Sequence, residues 1–243
     1  MIPSWLSTLA SIAMAGGPPL VYADQSWSII QKKDATGFSR DICAVLLIAN
    51  ITRCFFWLGS QFEFALLLQS LLMILAQLAL LYICILYRPR ISPESLGTST
   101  RPLSFWQWPT YSQHIEFLAG YIVCLTILIL IFGRMELFVT ILGFVALGLE
   151  STLPIPQLIN NYKQKTLYGF RASTLIGWVG GDSFKLVYFF IQGSPLQFKV
   201  CAIFQLSVDI AIVFQRLMYG NAPPPTALVD DDDLEQALAL AEE

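Results

Sequence analysis

Seven side chains able to do chemistry lie inside long apolar runs, where such groups are scarce. They are Asn50, Arg53, Gln77, Glu150, Asp182, Lys185 and Asp209. At bilayer depth a charged residue costs about 2.5–3.5 kcal/mol on insertion scales, so charges there are few and mostly functional or paired. Asp182 and Lys185 are spaced i, i+3, close enough on a helix to interact. Glu150 stands about two turns before Gln157, and Asp209 sits in the middle of the last apolar run. The residue types fit two roles: a salt-bridge network that fixes helix register, or a polar pathway for a headgroup, a solute or a proton.

Other reactive residues offer less. His114 is the only histidine, so neither a His-containing zinc cluster nor a Ser-His-Asp triad can be assembled around several of them. The five cysteines (Cys43, Cys54, Cys84, Cys124, Cys201) are dispersed through apolar stretches and are expected to act as small hydrophobes. No metal site, cofactor or enzymatic activity is expected. Gly177, Gly180 and Gly181 fit close helix packing or the lining of a passage better than nucleotide binding.

The elements that must position these residues are membrane helices. The 243 residues are 56% hydrophobic and 13% charged, with mean hydropathy +0.63, whereas soluble domains carry about 25% charged residues. Such a chain lacks the polar surface of a soluble enzyme, a nucleic-acid binder or a secreted scaffold. Apolar segments run over about Trp5–Ile30, Ile42–Leu58, Phe64–Leu86, Ile115–Phe132, Leu137–Asn160, Ser173–Ile191 and Leu196–Met218. Each is near the ~20 residues that one crossing needs. The expected fold is an all-α polytopic membrane protein with seven transmembrane helices. The first segment lacks the basic start of a signal peptide and is expected to be a retained helix.

Between the third and fourth segments, residues 87–114 hold Pro89, Pro93, Gly97 and Pro102 and are expected to form a cytosolic loop. It ends in Phe105-Trp106-Gln107-Trp108-Pro109, a cluster suited to the headgroup layer. Residues 220–243 hold Pro223 to Pro225 and an acidic run, and are expected to be disordered. Seven of the 17 acidic residues fall in that tail; without it the body has 14 basic and 10 acidic residues. Lys32, Lys33, Arg40, Arg88, Arg90, Arg101, Lys163, Lys165, Arg171 and Arg216 all fall on one side of a seven-helix topology, against Arg134 and Lys199 on the other. The positive-inside rule then places the C-terminus in the cytosol and the N-terminus in the lumen. The lysine pairs after the first and fifth segments also suit contact with anionic lipid.

The chain repeats itself at an offset of 132. Gln25 matches Gln157, Gly37-Phe38 matches Gly169-Phe170, Asn50 matches Asp182, Arg53 matches Lys185 and Gln77 matches Asp209. Residues 1–86 and 137–219 are therefore two copies of a three-helix unit, and 115–132 is a linker helix. One added crossing restores the direction of the chain, so the copies are two parallel three-helix bundles in a 3+1+3 order, an arrangement known among secondary transporters. Pro18 and Pro19 in the first copy, and Pro154 and Pro156 in the second, withdraw backbone hydrogen bonds. Such groups are tolerated in a bilayer only where protein or water re-satisfies them, which marks these prolines as candidate hinges beside Gln25 and Gln157.

LPIPQLINNYKQKTLYGF (Leu153–Phe170) resembles a PQ-loop motif, and GPPLVYADQSWSIIQKKDATGFS (Gly17–Ser39) its divergent partner, with Asp24-Gln25 in place of Pro-Gln. The chain resembles the PQ-loop superfamily of SWEET-type sugar transporters, cystinosin and lysosomal amino-acid exporters. It is most similar to a branch whose fungal members are associated with phospholipid asymmetry in Golgi and endosomal membranes. That resemblance implies a SWEET-like packing in which Asn50, Arg53, Asp182 and Lys185 line a common cavity. It also implies an ATP-independent phospholipid scramblase that counteracts flippases of the P4 type, with membrane phospholipids as its partners. A proton-coupled secondary transporter of a small polar solute, and a non-transporting receptor or flippase regulator, are the alternatives. No nucleic-acid partner is expected, and the oligomeric state is not fixed by the sequence.

Overall fold

A computed structural model describes residues 4–33, 35, 39–87, 106, 108–167 and 172–220. The acidic tail expected at 220–243 lies outside these residues except for Gly220, as does most of the loop between the third and fourth apolar segments. Every regular element described is a helix: α1 (Ser4–Lys32), α2 (Arg40–Gly59), α3 (Phe64–Leu86), α4 (Tyr111–Phe132), α5 (Glu136–Ser151), α6 (Ile155–Gln164), α7 (Ala172–Ile191) and α8 (Leu196–Tyr219). α5 and α6 are one crossing interrupted over Thr152–Pro154, so the eight helices make seven rods. The protein is an all-α polytopic membrane protein.

Length and apolarity alone qualify five spans: Arg40–Gly59, Phe64–Leu86, Tyr111–Phe132, Glu136–Gln164 and Leu196–Tyr219. The two remaining rods, α1 and α7, are 29 and 20 residues long, which is enough to cross. Their apolarity is diluted by the residues that the sequence singles out: Gly16, Gly17, Pro18, Pro19, Asp24 and Gln25 in α1, and Gly177, Gly180, Gly181, Asp182 and Lys185 in α7.

The break between α5 and α6 has a local cause. Pro154 caps α6 and Pro156 lies in its first turn, the helical position where a missing N–H is harmless. The chain can restart there but cannot run through. In α1, by contrast, the helix stays continuous across Pro18 and Pro19. The two proline-containing stretches therefore use their prolines differently.

Two compact units divide the chain. The first comprises Met1–Glu150 with Tyr188–Cys201, and the second Ser151–Val187 with Ala202–Glu243. In the first, α3 packs against both α1 and α2, and α4 packs on α2 and α3. Glycine allows one tight approach: a Cβ at Gly143 would come within 2.8 Å of the Phe56 ring. In the second, Leu167, Leu175, Val208 and Ile212 form a buried core, with Ile155, Leu158, Trp178 and Val213 packed around it.

One expectation is corrected. α4 begins at Tyr111 rather than near Ile115, because apolarity marks the membrane-depth part of a helix and misses a polar first turn. Trp106, from the aromatic cluster that precedes it, is fully buried in the protein. It packs edge-on against His114 and Phe117 at centroid distances of 4.9 and 5.6 Å. His114 holds it there, with Nδ1 2.9 Å from the Thr110 carbonyl and Nε2 3.2 Å from the Trp106 carbonyl.

Candidate functional site

The polar centre of the first unit is built on α2. Its buried face runs through Leu46, Asn50, Arg53 and Phe56, residues at helical i, i+3, i+4 spacing. The Arg53 guanidinium pairs with Glu150 at the end of α5, and both side chains are largely withdrawn from solvent. It also stands 5.9 Å from the centre of the Phe198 ring, a cation–π distance. Asn50 donates to the Leu46 carbonyl at 2.8 Å.

This centre contains more hydrogen-bonding capacity than the protein uses. Asn50 Oδ1, Arg53 Nε, Gln69 Oε1 and both amide atoms of Gln77 are buried with no hydrogen-bond partner among the described residues. A buried polar atom left unpaired costs about 1–3 kcal/mol. The first unit therefore carries donors and acceptors of both kinds that a polar guest could satisfy. Gln77 and Asn50 were legible in the sequence; Gln69 was not singled out.

At the end of the unit near the α2–α3 turn, Phe56, Phe62, Phe189 and Phe198 stack with neighbouring centroids 4.9–6.2 Å apart. Beside them Glu63 accepts from the Tyr188 hydroxyl at 2.5 Å and from Ser11 at 3.0 Å, and Gln192 donates to Ser7 at 3.0 Å. This node ties α1, the α2–α3 turn and the end of α7. Sequence reasoning missed it: Glu63 falls between two apolar runs, where an acid reads as an ordinary loop residue.

The second unit carries the other polar group. Asp182 and Lys185 of α7 form the i, i+3 pair that their spacing implies, at 2.9 Å, with side chains 8% and 19% exposed. Asp209 of α8 is fully buried and interacts electrostatically with both. Its carboxyl lies within hydrogen-bonding reach of the Asp182 carboxyl, a pair that one shared proton can bridge. Two carboxylates thus face one ammonium.

The proline-containing motif is tied down by amides. Gln157 donates to Asn161 Oδ1 at 2.7 Å, Asn161 donates to Gln215 Oε1 at 3.1 Å, and Gln215 donates to the Leu158 carbonyl at 2.9 Å. This chain joins α6 to α8 just beyond the helix break. Pro154 is buried, Pro156 exposed, and Pro18, Pro19 and Gln25 are half-buried on α1. Of the four residues expected to line one cavity, Asn50 and Arg53 lie in the first unit, as do the pathway candidates Gln77 and Glu150. Asp182, Lys185 and Asp209 lie in the second.

Comparison with known proteins agrees with the motif reading. Residues 138–198 match the PQ loop repeat family. The chain is 28% identical to Scramblase ANY1 of Saccharomyces cerevisiae, in an alignment covering 90% of this chain and 72% of that protein. The chain carries a PQ-loop repeat and is similar to a fungal protein named as a scramblase.

Proposed function

We propose that this protein is an ATP-independent phospholipid scramblase that relaxes lipid asymmetry in Golgi and endosomal membranes and so opposes flippases. Its N-terminus is lumenal and its C-terminus cytosolic in this reading, following the distribution of lysine and arginine. The observation that carries the lipid reading is the similarity to Scramblase ANY1 along 90% of the chain.

The geometry supplies a physical basis for it. A zwitterionic headgroup that leaves water must find both signs of charge, and hydrogen bonds, at membrane depth. The first unit offers Arg53, Glu150 and unpaired amide atoms of Asn50, Gln69 and Gln77. The second offers Asp182, Lys185 and Asp209. Each unit is thus a polar station for a headgroup whose acyl chains stay in lipid, and no energy source is needed for movement down a concentration difference. In this account the interruption at Pro154 and the continuous α1 at Pro18 and Pro19 are the points where the helices bend.

Purified protein reconstituted into ATP-free vesicles with acyl-labelled phospholipid tests the activity. Dithionite added outside should bleach label beyond the outer-leaflet share in protein-containing vesicles. Bleaching that stops at that share would reject the proposal. Fluorescence of a C-terminal tag accessible to quencher only from the cytosolic side tests the orientation.

A further inference from the structure

Both ring nitrogens of His114 face oxygens that can only accept. Nδ1 lies 2.9 Å from the Thr110 carbonyl and Nε2 3.2 Å from the Trp106 carbonyl, and the residue is 0% exposed. A neutral imidazole carries one N–H and one bare lone pair, whereas the imidazolium carries two N–H groups. The neutral ring therefore makes one of these bonds and sets its lone pair against the other oxygen. The protonated ring makes both. The seat fits the cation and leaves the neutral form one bond short, in a place where a lost bond is costly.

The surroundings act on that charge in both directions. The Trp106 and Trp108 rings stand edge-on 4.9 and 5.2 Å from the imidazole, centre to centre. Both are within the roughly 6 Å at which an aromatic ring attracts a cation. Opposing them, His114 is the fourth residue of α4, close to the positive end of the helix dipole. Arg40 of α2 brings a like charge to the same segment, donating to the Trp108 carbonyl at 3.4 Å. It also acts electrostatically on Cys43 of α2 and Cys84 of α3. On α4 itself Glu116 is exposed, and the Tyr111 hydroxyl donates to the Leu78 carbonyl of α3 at 3.4 Å. Carbonyls and indoles favour the charged ring; the helix end and Arg40 oppose it.

We propose that His114 is a proton-dependent clasp. Charged, it ties the Trp106 backbone to the first turn of α4. On losing a proton it gives up one carbonyl. The Thr110 bond closes four residues within the start of α4, while the Trp106 bond spans eight and is the longer, so Trp106 is the one released. The seat of Trp106 and Trp108 loosens with it, and so does the Trp108 carbonyl that receives Arg40 at the start of α2. Asn50 and Arg53 stand on that same helix, so the clasp links proton concentration at the entry to α4 with the element that carries the first polar station. In the orientation proposed above this end is cytosolic, and the clasp reads cytosolic pH. It does not depend on what the protein transports.

His114 is the only histidine, so full-length protein purified without a histidine tag and labelled with 15N-histidine reports on this ring alone by NMR. Spectra in detergent over about pH 5 to 8, where histidine changes charge, should show two protonated ring nitrogens at the acid end and one bare nitrogen at the alkaline end. Hydrogen exchange of the peptide holding Trp106 to His114 reads the clasp, compared at each pH with His114→Phe, which keeps a ring among the indoles and removes both bonds. The wild type should be protected about tenfold more than the variant at the acid end, the order expected of one charge-assisted hydrogen bond. That advantage should shrink as the pH rises. A ring with one bare nitrogen throughout, or equal protection of the two proteins at the acid end, overturns the proposal. Two protonated nitrogens throughout would show a permanent structural cation and overturn it as well. Should His114→Phe fail to fold, the wild-type spectra decide alone.

Discussion

Lys33 and Lys165, 132 positions apart, leave their helices in the same left-handed conformation, with φ of 52° and 53°. They are the only non-glycine residues with positive φ among those described. The offset of 132 seen in side-chain identity thus recurs at one backbone position: each proline-containing helix is followed by a left-handed lysine. Lys165 Nζ then lies 3.6 Å from the centre of the Tyr162 ring and 3.4 Å from the Tyr219 hydroxyl, contacts that hold the last turn of α6 to the end of α8.

Left-handed backbone costs a residue with a Cβ roughly 1–2 kcal/mol and glycine almost nothing. Lys33→Gly should therefore leave stability unchanged or raise it by up to about 1 kcal/mol, while Lys33→Val should lower it by more than that. Thermal unfolding of the three proteins in one detergent measures this. A stabilising Lys33→Val would show that the turn is not strained.

The helical class and the Asp182–Lys185 pair were legible because polar residues in apolar runs are rare, so their spacing carries information. The i, i+3 rule is local and needs no knowledge of the fold. The partner of Arg53 was not legible: Glu150 is 97 residues away, and only the packing of α5 on α2 brings it in. The Ser11–Glu63–Tyr188 node was missed for the same reason, since it joins three segments through single residues with no periodicity. The seat of Trp106 against the His114 ring and Phe117 was not legible either, because composition shows an aromatic cluster but not which rings it packs on.

Arg53→Ala takes the guanidinium away from the Glu150 carboxylate in a largely buried place. Breaking such a pair from one side typically costs about 3–5 kcal/mol, and removing both members costs less. Arg53→Ala should lower the unfolding temperature markedly, and Arg53→Ala with Glu150→Ala should recover most of the loss. A double variant no more stable than the single would show that the pair is not the source of the stability.

Pro154→Ala returns an N–H to the chain at the interruption between α5 and α6. The crossing should then become more nearly continuous, with thermal stability kept or raised, while lipid movement slows severalfold. Unchanged flux would show that the break is a static feature of the fold and no hinge.

Gln215→Leu removes the link between Asn161 and the Leu158 carbonyl. Asn161 is 1% exposed, so its amide is left without that acceptor at a cost of about 1–3 kcal/mol. Gln157→Leu leaves the Asn161–Gln215 bond in place and should cost less. Unfolding midpoints for the two variants in the same detergent give the order, and the reverse order would mean that Gln157 anchors the network.

The claim that buried polar groups carry headgroups through the membrane is tested most directly by dithionite bleaching in ATP-free vesicles, comparing wild type with the Arg53→Ala, Glu150→Ala double variant at matched thermal stability. The account predicts that wild type bleaches label beyond the outer-leaflet share and that the double variant, though folded, stalls near it. Wild type that stalls as well, or a double variant that bleaches as fast as wild type, would contradict it.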